Sequence, residues 1–162
     1  MRLAAVHRYS TAVNLIQRGL RLSIVVSATG LPPKQLRSLY REVPGKGPLP
    51  GPLPSSSRII STRKRQAMAS LFAGFYQSAG GHRIWEGIDI PALLSSFDLY
   101  CELVQVALPA TELLEINQAW VIARDLHAGI LRFESCRDCR IQYISLPDGR
   151  LSPGCPVCVL KR

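Results

Sequence analysis

The chain has 162 residues, 20 Lys and Arg against 11 Asp and Glu for a formal net charge of +9, and a hydrophobic share of 47%. That length supports one domain with a real core plus a small appendage that needs its own staple. His7, Arg8 and Arg18 interrupt the N-terminal region, and no later stretch supplies the ~20 consecutive apolar residues of a membrane span, which predicts a cytoplasmic protein without a membrane anchor.

The charge is unevenly placed. Residues 1–65 hold 12 Lys or Arg against the single acid Glu42, whereas residues 66–162 hold eight basic and ten acidic residues. A basic half of this kind attracts a polyanion such as nucleic acid, and equally suits a soluble surface with no partner.

In chain order, residues from about Leu3 to Ala28 lack Pro and carry Val6, Val13, Leu15, Ile16, Leu20, Leu22, Ile24, Val25 and Val26, a pattern of one or two helices. Thr29-Gly30 signals a turn, and Pro32-Pro33 suits the first turn of a new helix, where a missing N–H costs little. In that helix Leu36, Leu39, Tyr40 and Val43 recur at three- and four-residue intervals, leaving Lys34, Gln35, Arg37, Ser38 and Arg41 on the other face. Residues 15–43 therefore have the layout of a helix-turn-helix with a basic outer face; the plainer alternative is an αα-hairpin with a solvated polar face.

Residues 44–57, rich in Pro and Gly, cannot continue a helix and read as a semi-rigid connector, although Pro-rich ligands of other domains look similar. Arg58, Arg63, Lys64 and Arg65 follow, suited to phosphate or simply solvated at a helix start. From Gln66 a helix with Met68, Leu71, Phe72, Phe75 and Tyr76 on a core stripe is closed by Gly80-Gly81. Another is expected from about Pro91 to Leu108, started after Asp89, with Leu93, Leu94, Phe97, Tyr100, Cys101 and Val104 facing in. Cys101 reads there as a small hydrophobe rather than a reactive thiol. Thr111 is the expected N-cap of a last helix containing Trp120, Leu126 and His127, the histidine reading as solvated or hydrogen-bonded rather than a ligand.

The remaining residues are organised by cysteines. Cys136, Cys139, Cys155 and Cys158 are spaced C-x₂-C-x₁₅-C-x₂-C. Two such turns complete a closed tetrahedral S₄ site for one structural Zn²⁺, with no position left for substrate. Disulfides are the alternative, but they would lack a signal peptide and leave Cys101 over; a thioredoxin-like redox pair would need one pair in a βαβ context. Ile141–Ile144 reads as a strand, and Pro147-Asp148-Gly149 as a hairpin turn flanked by the two cysteine pairs. The expected fold is thus mainly α: a helical domain over residues 1–133 with a helix-turn-helix-like N-terminal hairpin, and a small four-cysteine zinc ribbon over residues 134–162. No nucleophile–base set, phosphate-binding Gly loop or open metal site points to an enzyme.

The order of these parts resembles the FlhC family, the zinc-containing subunit of the flagellar transcriptional activator. The resemblance rests on Arg18-Gly19-Leu20-Arg21-Leu22, on Thr29-Gly30-Leu31 through Leu36-Arg37-Ser38-Leu39-Tyr40-Arg41-Glu42, and on the linker ending Gly51-Pro52-Leu53-Pro54-Ser55. It continues through Phe72, Phe75 and Tyr76, Asn117-Gln118-Ala119-Trp120, and the four cysteines. It implies a cytoplasmic bacterial regulator that assembles with FlhD-like subunits into a heterohexamer, binds promoter DNA and recruits RNA polymerase, for a flagellar or related regulon. By position the four cysteines match the family's zinc ligands, whereas Lys34, Arg37, Arg41, Arg58, Arg63, Lys64 and Arg65 are chosen for phosphate contact on charge alone. The sequence stops four residues after Cys158, where family members usually continue into a longer tail, so any DNA contact by that tail is expected to be absent or reduced. The competing expectation is a zinc-stabilised protein-interaction adaptor without sequence-specific DNA contact.

Overall fold

The structure, a computed structural model, describes residues 2–43 and 47–161; Pro44, Gly45 and Lys46 at the start of the expected linker lie outside the described residues. Two compact units are present, Met1–Pro52 and Leu53–Arg162.

In the first unit, the apolar runs of the N-terminal half form α1 (Arg2–Gln17) and α2 (Leu22–Thr29), and the amphipathic segment after Pro32 forms α3 (Pro33–Glu42). Gly30 ends α2 in the left-handed region at φ 65°, returning its N–H to the Val26 carbonyl, as a C-terminal glycine cap does. Buried Thr29 adds a second lock: its hydroxyl donates to the Val25 carbonyl and accepts the Leu31 N–H. Leu15, Leu20, Ile24 and Leu36 are fully buried among the three helices. Tyr40 donates its hydroxyl to the Leu20 carbonyl, and burial pushes its phenol up to about 12, so it stays a donor at any ordinary pH. Arg21 points its guanidinium at the carbonyls of Pro50, Gly51 and Pro52, which holds the end of the Pro/Gly connector against the start of α2.

The second unit contains α4 (Ser56–Ile59), α5 (Arg63–Gly80), α6 (Arg83–Glu86), α7 (Ile90–Val104), a 3-10 turn (Ala110–Glu112), α8 (Ile116–His127), β1 (Arg132–Ser135), β2 (Gln142–Ser145) and α9 (Pro156–Leu160). Helix α5 is central, packing against α7, α8, β2 and α9. Thr62 caps its start by accepting the Arg65 N–H, and Asp89 caps α7 by accepting the Ala92 N–H. Phe72 stacks on Tyr76 and meets Phe97 and Tyr100 edge-on at 6.4 Å. Two buried tyrosines then close loops: Tyr76 accepts the Asp89 N–H and Tyr100 accepts the Leu114 N–H.

Three local expectations are corrected, and one short element is present where the sequence suggested none. Leu71 is 38% exposed, because the buried face of α5 runs through Gln66, Ala69, Ser70, Phe72, Ala73 and Tyr76. Thr111 lies in the 3-10 turn; α8 starts at Ile116, where Glu115 and Gln118 form a reciprocal capping box that satisfies two donors where a lone Thr satisfies one. The segment after Gly81 forms the short helix α6. Finally, the β-hairpin turns at the first cysteine pair, since β2 pairs with β1 rather than with a strand after Gly149. Strand β1, Arg132-Phe133-Glu134-Ser135, is mostly exposed and lacks the apolar alternation by which a strand is recognised.

Gly80 sits where α5 meets the next turn: a Cβ there would come within 2.4 Å of the buried Ile84 Cγ2 and 3.4 Å of the Ala92 Cβ. Because Ile84 Cγ2 branches directly from its Cβ, little freedom exists to move it aside. Gly80→Ala is expected to destabilise the protein by roughly 1–3 kcal/mol through overpacking, read as a lowered midpoint in urea; an unchanged or higher midpoint would show that the α5–α6 corner has slack.

Candidate metal centre and basic surface

The metal centre is built from two turns. β1 and β2 pair antiparallel with Ser135 opposite Gln142, so residues 136–141 form the connecting turn and carry the first cysteine pair. Cys136 donates its N–H to the Ile141 carbonyl and accepts the Arg140 N–H, each at 3.0 Å. Arg140 takes φ 59°, a conformation that an L-residue adopts only when its surroundings impose it. The second pair sits at the start of α9: Cys155 is the N-cap, Pro156 opens the helix, and Cys158 lies within its first turn.

These turns bring Cys136 Sγ to 3.7 Å from Cys158 Sγ, and Cys139 Sγ to 3.6 Å from Cys155 Sγ. All four sulfurs lie within 4.8 Å of one another. Metal–sulfur bonds of about 2.3 Å in a tetrahedron give sulfur–sulfur edges of about 3.8 Å, so the set fits one metal ion. Backbone N–H groups of Cys139 and Asp138 stabilise the Cys136 thiolate and bring its pKa down to about 7. Cys158 is pushed up to about 12 by its hydrogen bonds to Cys139 and Cys136. The cluster thus shares protons that an entering cation would displace, and acid would release such a metal.

Three polar side chains of α5 support the centre. Gln66 Nε2 donates to the Ile144 carbonyl at 2.9 Å, while Ser70 Oγ accepts the Ile144 N–H at 3.0 Å and donates to the Gln66 carbonyl. Arg63 donates to the Gly154 carbonyl at 2.9 Å and to both the carbonyl and hydroxyl of Ser152. The second cysteine pair is therefore held through the residue just before it. Sequence reasoning missed Gln66 and Ser70; the available signal was two polar residues four apart on a helix otherwise read as an apolar stripe.

Among the basic residues expected to contact phosphate, Lys34, Arg37 and Arg41 lie exposed on α3. Arg41 Nε donates to the Arg37 carbonyl one turn back. In the second unit, Arg58 on α4 and Arg65 on α5 are exposed, Arg63 is committed to the ribbon, and Lys64 is paired with Glu112. No helix among the described residues is long and apolar enough to cross a membrane.

The family model described as flagellar transcriptional activator (FlhC) matches residues 3–160. The chain belongs to the FlhC family. Similar proteins named Flagellar transcriptional regulator FlhC include one from Cupriavidus necator, 32% identical over 97% of this chain and 76% of the relative. Another, from Variovorax paradoxus, is 32% identical over 99% of the chain and 77% of the relative. A third, from Gallionella capsiferriformans, is 31% identical over 88% and 78%. The match spans both units, from α1 into α9, so the FlhC assignment covers the cysteine centre as well as the helices. The mainly helical fold and the resemblance read from the sequence are borne out together.

A Cys155→Ser variant is expected to lose the bound metal measured by elemental analysis and to melt earlier than wild type. Cys101→Ser, which lies outside the cluster, should retain metal. Equal metal content in both variants would dismiss the four-sulfur site.

Proposed function

We propose that this FlhC-family chain is a DNA-binding subunit of a transcriptional activator, acting with an FlhD-like partner in a hetero-oligomer to bind promoter DNA and recruit RNA polymerase. The family match over residues 3–160 carries the reading. The exposed basic face of α3, where Lys34, Arg37 and Arg41 stand on a helix whose Leu36 and Tyr40 are buried, supports direct DNA contact. Such contact draws affinity from counterion release and weakens with salt. The metal is one Zn²⁺: four thiolates in a tetrahedral arrangement favour zinc over harder cations. Four protein ligands leave no open coordination position, so the ion would hold the ribbon and supply no catalysis.

The adaptor reading draws on a different observation, the apolar residues Leu99, Leu103 and Val106, which are 42%, 55% and 87% exposed along and just beyond α7. Apolar surface of this kind fits a protein partner, and the activator reading needs one too. The α3 arginines separate the two readings. In the protein combined with its partner, Arg37→Glu/Arg41→Glu is expected to weaken DNA binding more than tenfold at low salt while leaving the partner bound. Unchanged DNA binding in that variant would remove the α3 contact and favour the adaptor instead.

A further inference from the structure

A groove of about 680 Å³ opens in the second unit between the α4–α5 corner and the loop joining β2 to α9. Arg58 lines it from α4 and Arg150 from the loop, with the hydroxyls of Ser57 and Ser61 beside Arg58. Neither guanidinium makes a side-chain hydrogen bond or ion pair among the described residues. Glu134, also in the lining, has both carboxylate oxygens engaged, one by the Tyr143 hydroxyl at 2.9 Å and the other by Ser145. The groove thus presents two unpaired cations against one carboxylate, so its charged lining stays net positive.

Both arms stand on fixed supports. Arg58 follows the buried Ser56, whose hydroxyl donates to the buried Asp125 of α8. Arg150 follows a tight turn in which Gly149 donates its N–H to the Leu146 carbonyl at 2.9 Å, and where a Cβ on Gly149 would lie only 2.9 Å from that oxygen. The far end of the same loop is held by Arg63 through Ser152 and Gly154. A loop tied at both ends presents Arg150 from a backbone that need not be ordered on binding.

We propose that this groove is a phosphate-binding site for the DNA backbone, with Arg58 and Arg150 as its two arms. The inference rests on the DNA-binding reading and extends it to Arg150, a residue that charge clustering in the sequence does not single out. Guanidinium forks match phosphate oxygens two at a time, and Ser57 and Ser61 can donate further hydrogen bonds. The contact carries no sequence preference, so it would position the duplex rather than read it.

The test uses the full chain with its metal and partner subunit, a labelled mixed-sequence DNA duplex, and anisotropy titrations across a series of salt concentrations. Arg58→Ala and Arg150→Ala are each expected to reduce the slope of log affinity against log salt by about 0.9, and the double variant by about twice that. Arg150→Lys should keep most of the slope, because an ammonium still neutralises a phosphate as a point charge. Metal content and melting temperature should match wild type in all four proteins. Unchanged slopes with intact wild-type DNA binding would overturn the groove and leave the DNA reading standing; a wild-type complex that binds no DNA would overturn both.

Discussion

Ile144 lies on a two-stranded sheet, and no third strand is present among the described residues to meet its buried N–H and carbonyl. Ser70 and Gln66 of α5 supply both partners, so a helix face does the hydrogen bonding that a neighbouring strand would otherwise do. Leaving either group unsatisfied in the interior costs about 1–3 kcal/mol. The exposed Lys64–Glu112 ion pair contributes at most about 1 kcal/mol. Polar contacts under the sheet, rather than charges on the surface, therefore determine where the ribbon sits. Arg63 extends the same stripe to Ser152 and Gly154 and so reaches the second cysteine pair. A metal at the four sulfurs would lock two turns whose positions α5 already sets.

This arrangement explains which parts were legible in the sequence. The gathering of the four cysteines was readable, because metal coordination would demand fixed residue types at short spacing and little else competes for that pattern. Helices with strong punctuation were also readable: Gly30 closing α2, Pro33 opening α3, Asp89 capping α7 and Gly80-Gly81 ending α5 all act through local backbone chemistry. Strand β1 was not, since its residues are held by pairing with β2 and not by their own hydrophobic pattern. The start of α8 was misplaced because a Thr looks like a cap on its own, whereas the Glu115–Gln118 pair wins by satisfying two groups at once. Ser70 and Gln66 showed only as two polar residues on an apolar stripe, with nothing local to name their partners, which lie 74 and 78 residues away in the chain.

The candidate basic residues divide along the same physical line. A run such as Arg63-Lys64-Arg65 reads as one cluster in sequence, yet Arg63 is drawn inward by carbonyls and Lys64 is neutralised by Glu112, leaving Arg65 exposed. On α3 the helical period does the sorting instead, turning Leu36 and Tyr40 in and Lys34, Arg37 and Arg41 out. Membership of the FlhC family fits a chain in which a four-cysteine ribbon and amphipathic helices coexist. The division of labour in the proposed activator follows: sulfur ligands stabilise, the polar stripe of α5 positions, and exposed guanidinium groups meet the polyanion.

The dependence of the ribbon on α5 is tested most directly by amide hydrogen exchange at Ile144 in Ser70→Ala protein that retains its metal. The account predicts that exchange at Ile144 accelerates by an order of magnitude or more, as expected for losing roughly 1–3 kcal/mol of local protection, while α2 and α3 keep wild-type rates. Wild-type protection at Ile144 in that variant would contradict it, showing that the sheet and its metal hold themselves in place without the helix.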